Sequence, residues 1–481
     1  MKIKRIELTN NIFFGNFTFD FTQDDGTIFD NIILAGENGC GKTQLLNLIY
    51  DFSELSTGGI VSSEKRKFTV VLSTDELFQV TSNLNNNVSL ISPTGEFEIL
   101  QDFTTQPHYW NRIKVAYFSK GENNRISSKT IDSSHLFSNV NVKSLFKSIF
   151  STVEINYNPN TTSAITALEI DQAVESSIRS SNDLGTEIQQ LLIDVHTNDA
   201  TDLQIWVDEH DGIVPPTEVK NKRINRFKNA FSTIFEDLNF NKITTENNIK
   251  KVIFRKGQQD VSISDLSSGE KQIVFRGAFL LRNQQSTKGN IVLIDEPEIS
   301  LHPKWQDKIF DYYRNLFIDT TDIQNSQLFI ATHSQYVLKS GIRNKNNTSI
   351  ILLERTANGL KIKKITEPLL VLPSITIAEL NYVAFGILSS DYHIELYGVL
   401  QRKVALSLGK AECTVKECDT YIKQHIQYNS AIHEKISNHH NTTYYTLPTY
   451  VRNAIDHPDP SRPYSQDDLR CSINLLIELC K

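Results

Sequence analysis

Eight residues near the start of this chain, Gly36-Glu37-Asn38-Gly39-Cys40-Gly41-Lys42-Thr43, constrain its architecture more than any other segment. The run before them, Ile32-Ile33-Leu34-Ala35, is apolar throughout and reads as a buried strand, whereas Leu45, Leu46, Leu48 and Ile49 after them repeat at helical spacing. A strand that turns on glycines into a helix opens a strand–helix–strand unit, so the predicted fold class is α/β with a mostly parallel sheet. The same segment fits G-x-x-x-x-G-K-[ST], in which glycines let backbone N–H groups turn inward around phosphates and the following helix presents its N-terminus to negative charge. On this reading Gly36, Glu37, Asn38, Gly39, Cys40 and Gly41 wrap the phosphates of ATP and Lys42 reaches the β- and γ-phosphates. Thr43 turns its hydroxyl to Mg²⁺.

Three further segments fit one chemistry when taken in order. The apolar strand Ile291-Val292-Leu293-Ile294 ends in Asp295-Glu296, which brings both carboxylates to the sheet edge where the glycine loop also ends. Asp295 is expected to bind Mg²⁺ through its water shell, and Glu296 to orient and polarise an attacking water. Leu266-Ser267-Ser268-Gly269-Glu270-Lys271-Gln272 opens a helix shortly before, where the Ser267 hydroxyl and the uncovered Gly269 N–H suit an anion. Thr332-His333-Ser334 follows the next apolar strand, Leu328-Phe329-Ile330-Ala331.

Together these motifs resemble the ABC-type ATPase head of the SMC/RecF/OLD-like branch, over roughly residues 1–120 and 226–355. The resemblance implies a P-loop ATPase head with a mixed sheet and flanking helices, in which two copies close on ATP. Ser267 and Gly269 then contact the γ-phosphate held by the opposite copy, and His333 is the switch histidine that helps hold the catalytic water. Pro297-Glu298-Ile299-Ser300-Leu301-His302-Pro303 resembles the loop that crosses to the partner, so a homo-oligomer of at least two copies is expected. The family pattern also includes a glutamine loop, for which Gln79 and Gln101 both qualify.

The segments around these motifs divide the chain. Residues 1–120 form a first lobe, strand-rich from Ile3, Ile6 and Leu8 through the alternating Phe17, Phe19 and Phe21. Residues 121–225 are polar and rich in serine and asparagine, and read as an insertion with helices such as the one carrying Ile188, Leu191, Leu192 and Val195. The second lobe spans 226–372, and 373–481 reads as a helical C-terminal domain carrying Leu380, Val383, Leu388, Ile394 and Leu396.

The composition excludes several classes. With 39% hydrophobic and 22% charged residues the chain reads as folded and globular. No run approaches the roughly eighteen uncharged apolar residues of a membrane span, and a cytoplasmic location is expected. The five cysteines are too sparse for a disulfide framework, and Cys413 and Cys418 lack the second paired motif of a zinc site. A net charge of −7 argues against a surface that grips nucleic acid throughout; the best local candidate is Lys220, Lys222, Arg223, Arg226 and Lys228.

In the tail, Arg452-Asn453-Ala454-Ile455-Asp456-His457 has the R-x4-H form of HEPN ribonucleases. In such a site the arginine stabilises a phosphate and the histidine acts on the 2′-hydroxyl or leaving group; alternatively both residues are structural. The layout as a whole resembles the ATPase subunits of bacterial anti-phage systems such as PARIS and Septu. That resemblance implies a sensor or scaffold that controls a separate effector nuclease encoded nearby, triggered by nucleic acid or a phage protein. An ATP-gated ribonuclease and a RecF-like DNA-repair ATPase are the alternatives.

Overall fold

The computed structural model describes residues 1–55, 61–73, 95–105, 113–120, 126–131, 143, 145–153, 158–166, 168–171, 176–210, 213–216, 219–220, 222–282, 289–318, 323–324, 326–356, 359–365, 369–439 and 442–481. The chain divides into two compact units, Met1–Ile362 and Lys363–Lys481.

The first unit begins with strands β1 (Lys2–Asn11), β2 (Gly15–Asp20) and β3 (Asn31–Ala35), then helix α1 (Lys42–Ser53). Strands β4 (Lys65–Val71), β5 (Glu96–Asp102), β6 (Ile113–Lys120), β7 (Ile126–Ile131), β8 (Ser148–Ser151) and β9 (Ile178–Arg179) follow. Next come α2 (Leu184–Glu209), α3 (Ile224–Ile234), β10 (Leu238–Glu246), β11 (Ile249–Lys256), β12 (Gln259–Ser262) and α4 (Ser268–Arg282). The unit closes with β13 (Ile291–Asp295), α5 (Pro303–Asn315), β14 (Gln327–Thr332), α6 (Gln335–Arg343), β15 (Thr348–Thr356) and β16 (Gly359–Lys364).

Two sheets organise this unit. One has six strands in the order β2-β1-β4-β5-β6-β7, antiparallel throughout. The other has seven in the order β16-β15-β3-β14-β13-β8-β9, with every pairing from β15 to β9 parallel. The parallel strands β3, β13 and β14 are buried at every position, as strands covered on both faces must be, which is why they read as unbroken apolar runs. A single core joins the two sheets through α1. Leu45, Leu46, Ile49 and Phe52 of the helix pack with Phe19, Phe68 and Phe97 of the first sheet and Leu34, Leu293 and Phe329 of the second. Phe52 stacks on Phe68 at 3.8 Å between ring centroids. Each such buried side chain contributes about 1.5–3 kcal/mol, so the helix behind the glycine loop is held firmly.

The 121–225 stretch, read as an insertion with helices, is of mixed structure. It contains the 26-residue helix α2, yet it also supplies β7 to the antiparallel sheet and β8 and β9 to the parallel one. Strand β8, Ser-Ile-Phe-Ser, is wholly buried despite its serines. Ser148 Oγ lies 2.6 Å from Ser53 Oγ, which in turn lies 2.9 Å from Ser177 Oγ, so the hydroxyls satisfy one another inside the core.

The second unit is helical, with α7 (Ile377–Phe385), α8 (Ser390–Ser407), α9 (Val415–Gln424), α10 (Ser430–His433), α11 (Leu447–Asp456) and α12 (Gln466–Cys480). It also carries a hairpin absent from the sequence reading, β17 (Glu434–His439) with β18 (Thr442–Thr446). Helix starts are locally encoded: Thr376, Ser389, Thr414 and Ser465 each accept a hydrogen bond from a first-turn backbone N–H. Tyr392, Leu396 and Leu400 of α8 pack with Leu447 and Val451 of α11 and Leu469, Ile473 and Leu476 of α12.

Candidate functional site

Strands β3, β14 and β13 are adjacent, and the segments leaving their carboxyl ends carry Gly36–Thr43, His333 and Asp295-Glu296 respectively. In parallel sheets this edge is where ligands are held. The glycine loop has the backbone that its sequence requires, with φ of +140° at Gly36, +78° at Gly39 and +105° at Gly41. A Cβ on Gly36 would lie 2.1 Å from the Leu353 carbonyl, and one on Gly41 would lie 2.4 Å from the Phe13 ring, so neither position admits a side chain. Glu37, Asn38 and Gly39 at the tip are exposed and Cys40 is buried beneath them.

Lys42, almost fully buried, donates to the carbonyls of Gly36 (3.0 Å) and Glu37 (3.1 Å) and lies 3.7 Å from the Cys40 thiol. Burial holds the Lys42 ammonium below its ordinary range. Its Nζ is 3.5 Å from His333 Nδ1, while His333 Nε2 is 3.4 Å from Glu296 Oε1. Burial together with the Lys42 charge pushes the His333 pKa below its ordinary value.

Thr43 Oγ1 donates to Asp295 Oδ2 at 2.9 Å. Burial pushes the Asp295 carboxyl up to about 6, against the Thr43 hydrogen bond. These hard oxygen donors fit Mg²⁺, which keeps several waters and takes few protein ligands. Glu296 adopts a left-handed backbone, φ +44°, uncommon for a residue with a side chain, at the turn out of β13. Lys42, Thr43, Asp295, Glu296 and His333 are thus brought to one place, as the motifs anticipate.

Ser267 and Gly269 are not among them. The Ser267 hydroxyl donates to Glu270 Oε2 at 2.8 Å, and the same oxygen accepts from the Ser267 N–H, a capping box at the start of α4. Gly269 abuts the loop after the acid pair, where a Cβ would lie 2.7 Å from the Ser300 carbonyl and 3.3 Å from the Trp305 ring. Of the glutamine candidates, Gln101 is buried in β5 and Gln79 lies outside the described residues. In the basic run, Arg223 pairs with Asp199 and Asp202, and Arg226 with Asp171, so both guanidinium groups are committed within the unit.

In the tail, Arg452 pairs with Asp456 at 2.7 Å and donates to the Asn453 side chain at 3.0 Å. His457 is exposed just past the end of α11. Both of these arginine contacts are made to residues of its own helix.

Residues that the motifs did not single out buttress the first site. Glu298, buried, accepts the His333 backbone N–H at 2.6 Å and burial raises its pKa. Ser334 donates to Gln306 (2.7 Å), which donates to the Leu301 carbonyl (3.0 Å), tying α5 and α6 to the loop after the acid pair. Arg276 and Gln272 of α4 donate to the carbonyls of Asp295 and Pro297. Arg276 had one legible signal, a lone cation within Ile273–Leu281, otherwise apolar but for glycine.

A phosphate loop, an acid pair and a histidine on adjacent parallel strand ends, with a capped signature helix behind them, define an ABC-type ATPase. Residues 23–131 match the family model described as "ABC transporter", and residues 173–339 the one described as "AAA domain, putative AbiEii toxin, Type IV TA system". The chain is 23% identical to the Retron Ec83 probable ATPase of Escherichia coli over 397 residues, covering 70% of this chain and 69% of that protein. It is 30% identical to the Retron Vc95 probable ATPase of Vibrio cholerae serotype O1 biovar El Tor over 118 residues, covering 23% of this chain and 22% of that protein. Among solved structures it aligns with the SMC head domain from Thermotoga maritima at a TM-score of 0.37 and 12% identity, covering 76% of this chain and all 100% of that one. The chain is an ATP hydrolase carrying AAA/ABC-type ATPase domains and is related to the retron probable ATPases. No helix among the described residues is long and apolar enough to cross a membrane.

Proposed function

We propose that this ATPase turns over ATP at a composite site between two copies of the chain, and that the closed and open pairs control a separate effector nuclease in anti-phage defence. The observation that carries the first part is the division of the site. Lys42, Thr43, Asp295, Glu296 and His333 converge, whereas Ser267 and Gly269 make their contacts at the start of α4. One chain therefore presents two half-sites, and a second copy completes each.

Within the first half-site the glycine loop and Lys42 hold the phosphates, and Thr43 and Asp295 hold Mg²⁺. When bound, that ion neutralises charge on the β- and γ-phosphates. Glu296 accepts the proton of the attacking water, and His333, with Nε2 3.4 Å from Glu296 Oε1, keeps the carboxylate turned to it. The relationship to retron probable ATPases supports the defence role; a sensor whose effector is another protein fits a tail in which Arg452 is paired with Asp456.

The test is a pair of variants. Glu296→Gln is expected to bind ATP, accumulate as an ATP-dependent dimer in size-exclusion chromatography and lose about 100-fold or more of its turnover. Lys42→Ala is expected to lose nucleotide binding. Hydrolysis by Glu296→Gln at the wild-type rate would refute the assignment of the base.

A further inference from the structure

Glu296 leaves β13 with a left-handed backbone that side-chain-bearing residues rarely adopt, so something around it must hold that conformation. The neighbour that does so is Arg276. It lies two turns into α4, the helix that begins with the signature residues, and is completely buried. Its guanidinium meets backbone: Nη1 donates to the Asp295 carbonyl at 2.9 Å and the Glu296 carbonyl at 3.3 Å, and Nη2 to the Thr152 carbonyl at 2.7 Å. A buried cation of this kind is costly; three carbonyls at the exits of β13 and β8 offset part of the cost, while Nε is buried without a hydrogen-bond partner. One turn earlier on the same helix face, Gln272 donates to the Pro297 carbonyl at 2.8 Å. Helix α4 thus grips the backbone of residues 295–297 from one side, while the Glu296 N–H continues the sheet by donating to the Ala331 carbonyl at 2.9 Å.

We infer that Arg276 is a positioning residue for hydrolysis, which couples the signature helix to the direction of the Glu296 carboxylate. This rests on the reading of Glu296 as the base. Both ends of the coupling belong to one rigid element: Ser268 and Gly269 open α4, and Arg276 grips the acid pair from its middle. A shift of α4 when its N-terminus meets the partner's nucleotide is transmitted through the planar guanidinium, anchored on Thr152 by Nη2, to the Asp295 and Glu296 carbonyls held by Nη1. Lysine carries its three donors on one nitrogen and lacks the second, separated nitrogen that reaches Thr152 while the first serves Asp295 and Glu296. The Arg276 guanidinium bonds to backbone carbonyls at the strand exits rather than to the glycine loop, so its loss affects the chemical step and leaves nucleotide capture by that loop intact.

The experiment compares Arg276→Lys with wild type in the full chain, following ATP turnover and titrating a fluorescent ATP analogue, with thermal melts to verify folding. The expected result is a fall in kcat on the order of 100-fold, the cost of misplacing a reacting group by about an ångström. Nucleotide affinity stays within about twofold, and Arg276→Lys adds no further loss in a Glu296→Gln background. A kcat within about twofold of wild type, a parallel fall in affinity, or full additivity with Glu296→Gln would overturn the inference. If Arg276→Lys loses its cooperative melt, Arg276→Met, which keeps most of the buried volume, replaces it with the same outcomes. Wild-type turnover in Glu296→Gln would sink the reading of Glu296 itself, whereas an inactive Glu296→Gln beside an active Arg276→Lys sinks only the coupling.

Discussion

Acid is expected to loosen the helical second unit through one residue, His393. Its imidazole is completely buried on α8, with Nε2 2.7 Å from Ser472 Oγ of α12 and Nδ1 buried without a hydrogen-bond partner. Burial pushes its pKa from the ordinary 6.5 down to about 3. Between those values the unfolded chain binds a proton that the folded one does not, so stability is fully present above pH 6.5 and falls as the pH drops toward 3. At about pH 5 the loss is 1.5 units at 1.36 kcal/mol each, or about 2 kcal/mol. Native-state hydrogen exchange in the full chain, read on peptides from α8 and α12 and corrected for intrinsic rates, measures this locally. The control is His393→Leu combined with Ser472→Ala, which removes both hydrogen-bonding partners together and so leaves no orphaned group. Carboxylates elsewhere titrate in both proteins and cancel in the difference. If wild type and the double variant lose protection equally between pH 7.5 and 5, the reasoning is wrong.

Three other outcomes are expected. Mixing Lys42→Ala chains with Gly269→Asp chains should restore one intact composite site per mixed dimer and with it ATPase activity; verified mixed dimers with none would count against the two-copy site. Gly41→Ala places a methyl 2.4 Å from the Phe13 ring at a φ of +105°, so nucleotide binding should be lost and stability fall by about 1–3 kcal/mol, read by titration and thermal melt. Because Arg452 is engaged by Asp456, the purified chain should not cleave RNA, and His457→Ala should behave as wild type. Cleavage that vanishes in that variant would instead establish a ribonuclease.

How much of this was legible in the sequence depended on whether the information was local. Gly36–Thr43 declares itself because phosphate binding needs positive-φ glycines at set intervals between a buried strand and a helix, and every one of those requirements is met within twenty residues or so. Asp295, Glu296 and His333 were legible for the same reason, each ending or following an unbroken apolar strand. Strand β8 was not, since its buried Ser148 is accommodated by Ser53 and Ser177, which lie 95 and 29 residues away along the chain. Arg276 was legible only as a lone cation in an apolar stretch, and its role was not, because one of its three acceptors, Thr152, is 124 residues distant.

Ser267 sits between these cases and sharpens the two-copy proposal. Its spacing to Glu270 is that of a capping box, and in the isolated chain its hydroxyl is spent on that carboxylate. For Ser267 to donate to a partner's phosphate, the hydroxyl must rotate away from Glu270. The carboxylate is not stranded when it does. Glu270 keeps the Ser267 backbone N–H at 2.8 Å and the Lys256 ammonium at 2.7 Å; in the isolated chain these contacts and the Ser267 hydroxyl together hold its pKa below the usual carboxylate range despite burial. Releasing one hydroxyl therefore costs a single neutral-donor hydrogen bond, which the incoming phosphate replaces with a charge-assisted one. On the two-copy proposal the helix start would stay capped in both states, so α4 would bind and release the partner's nucleotide as a rigid element.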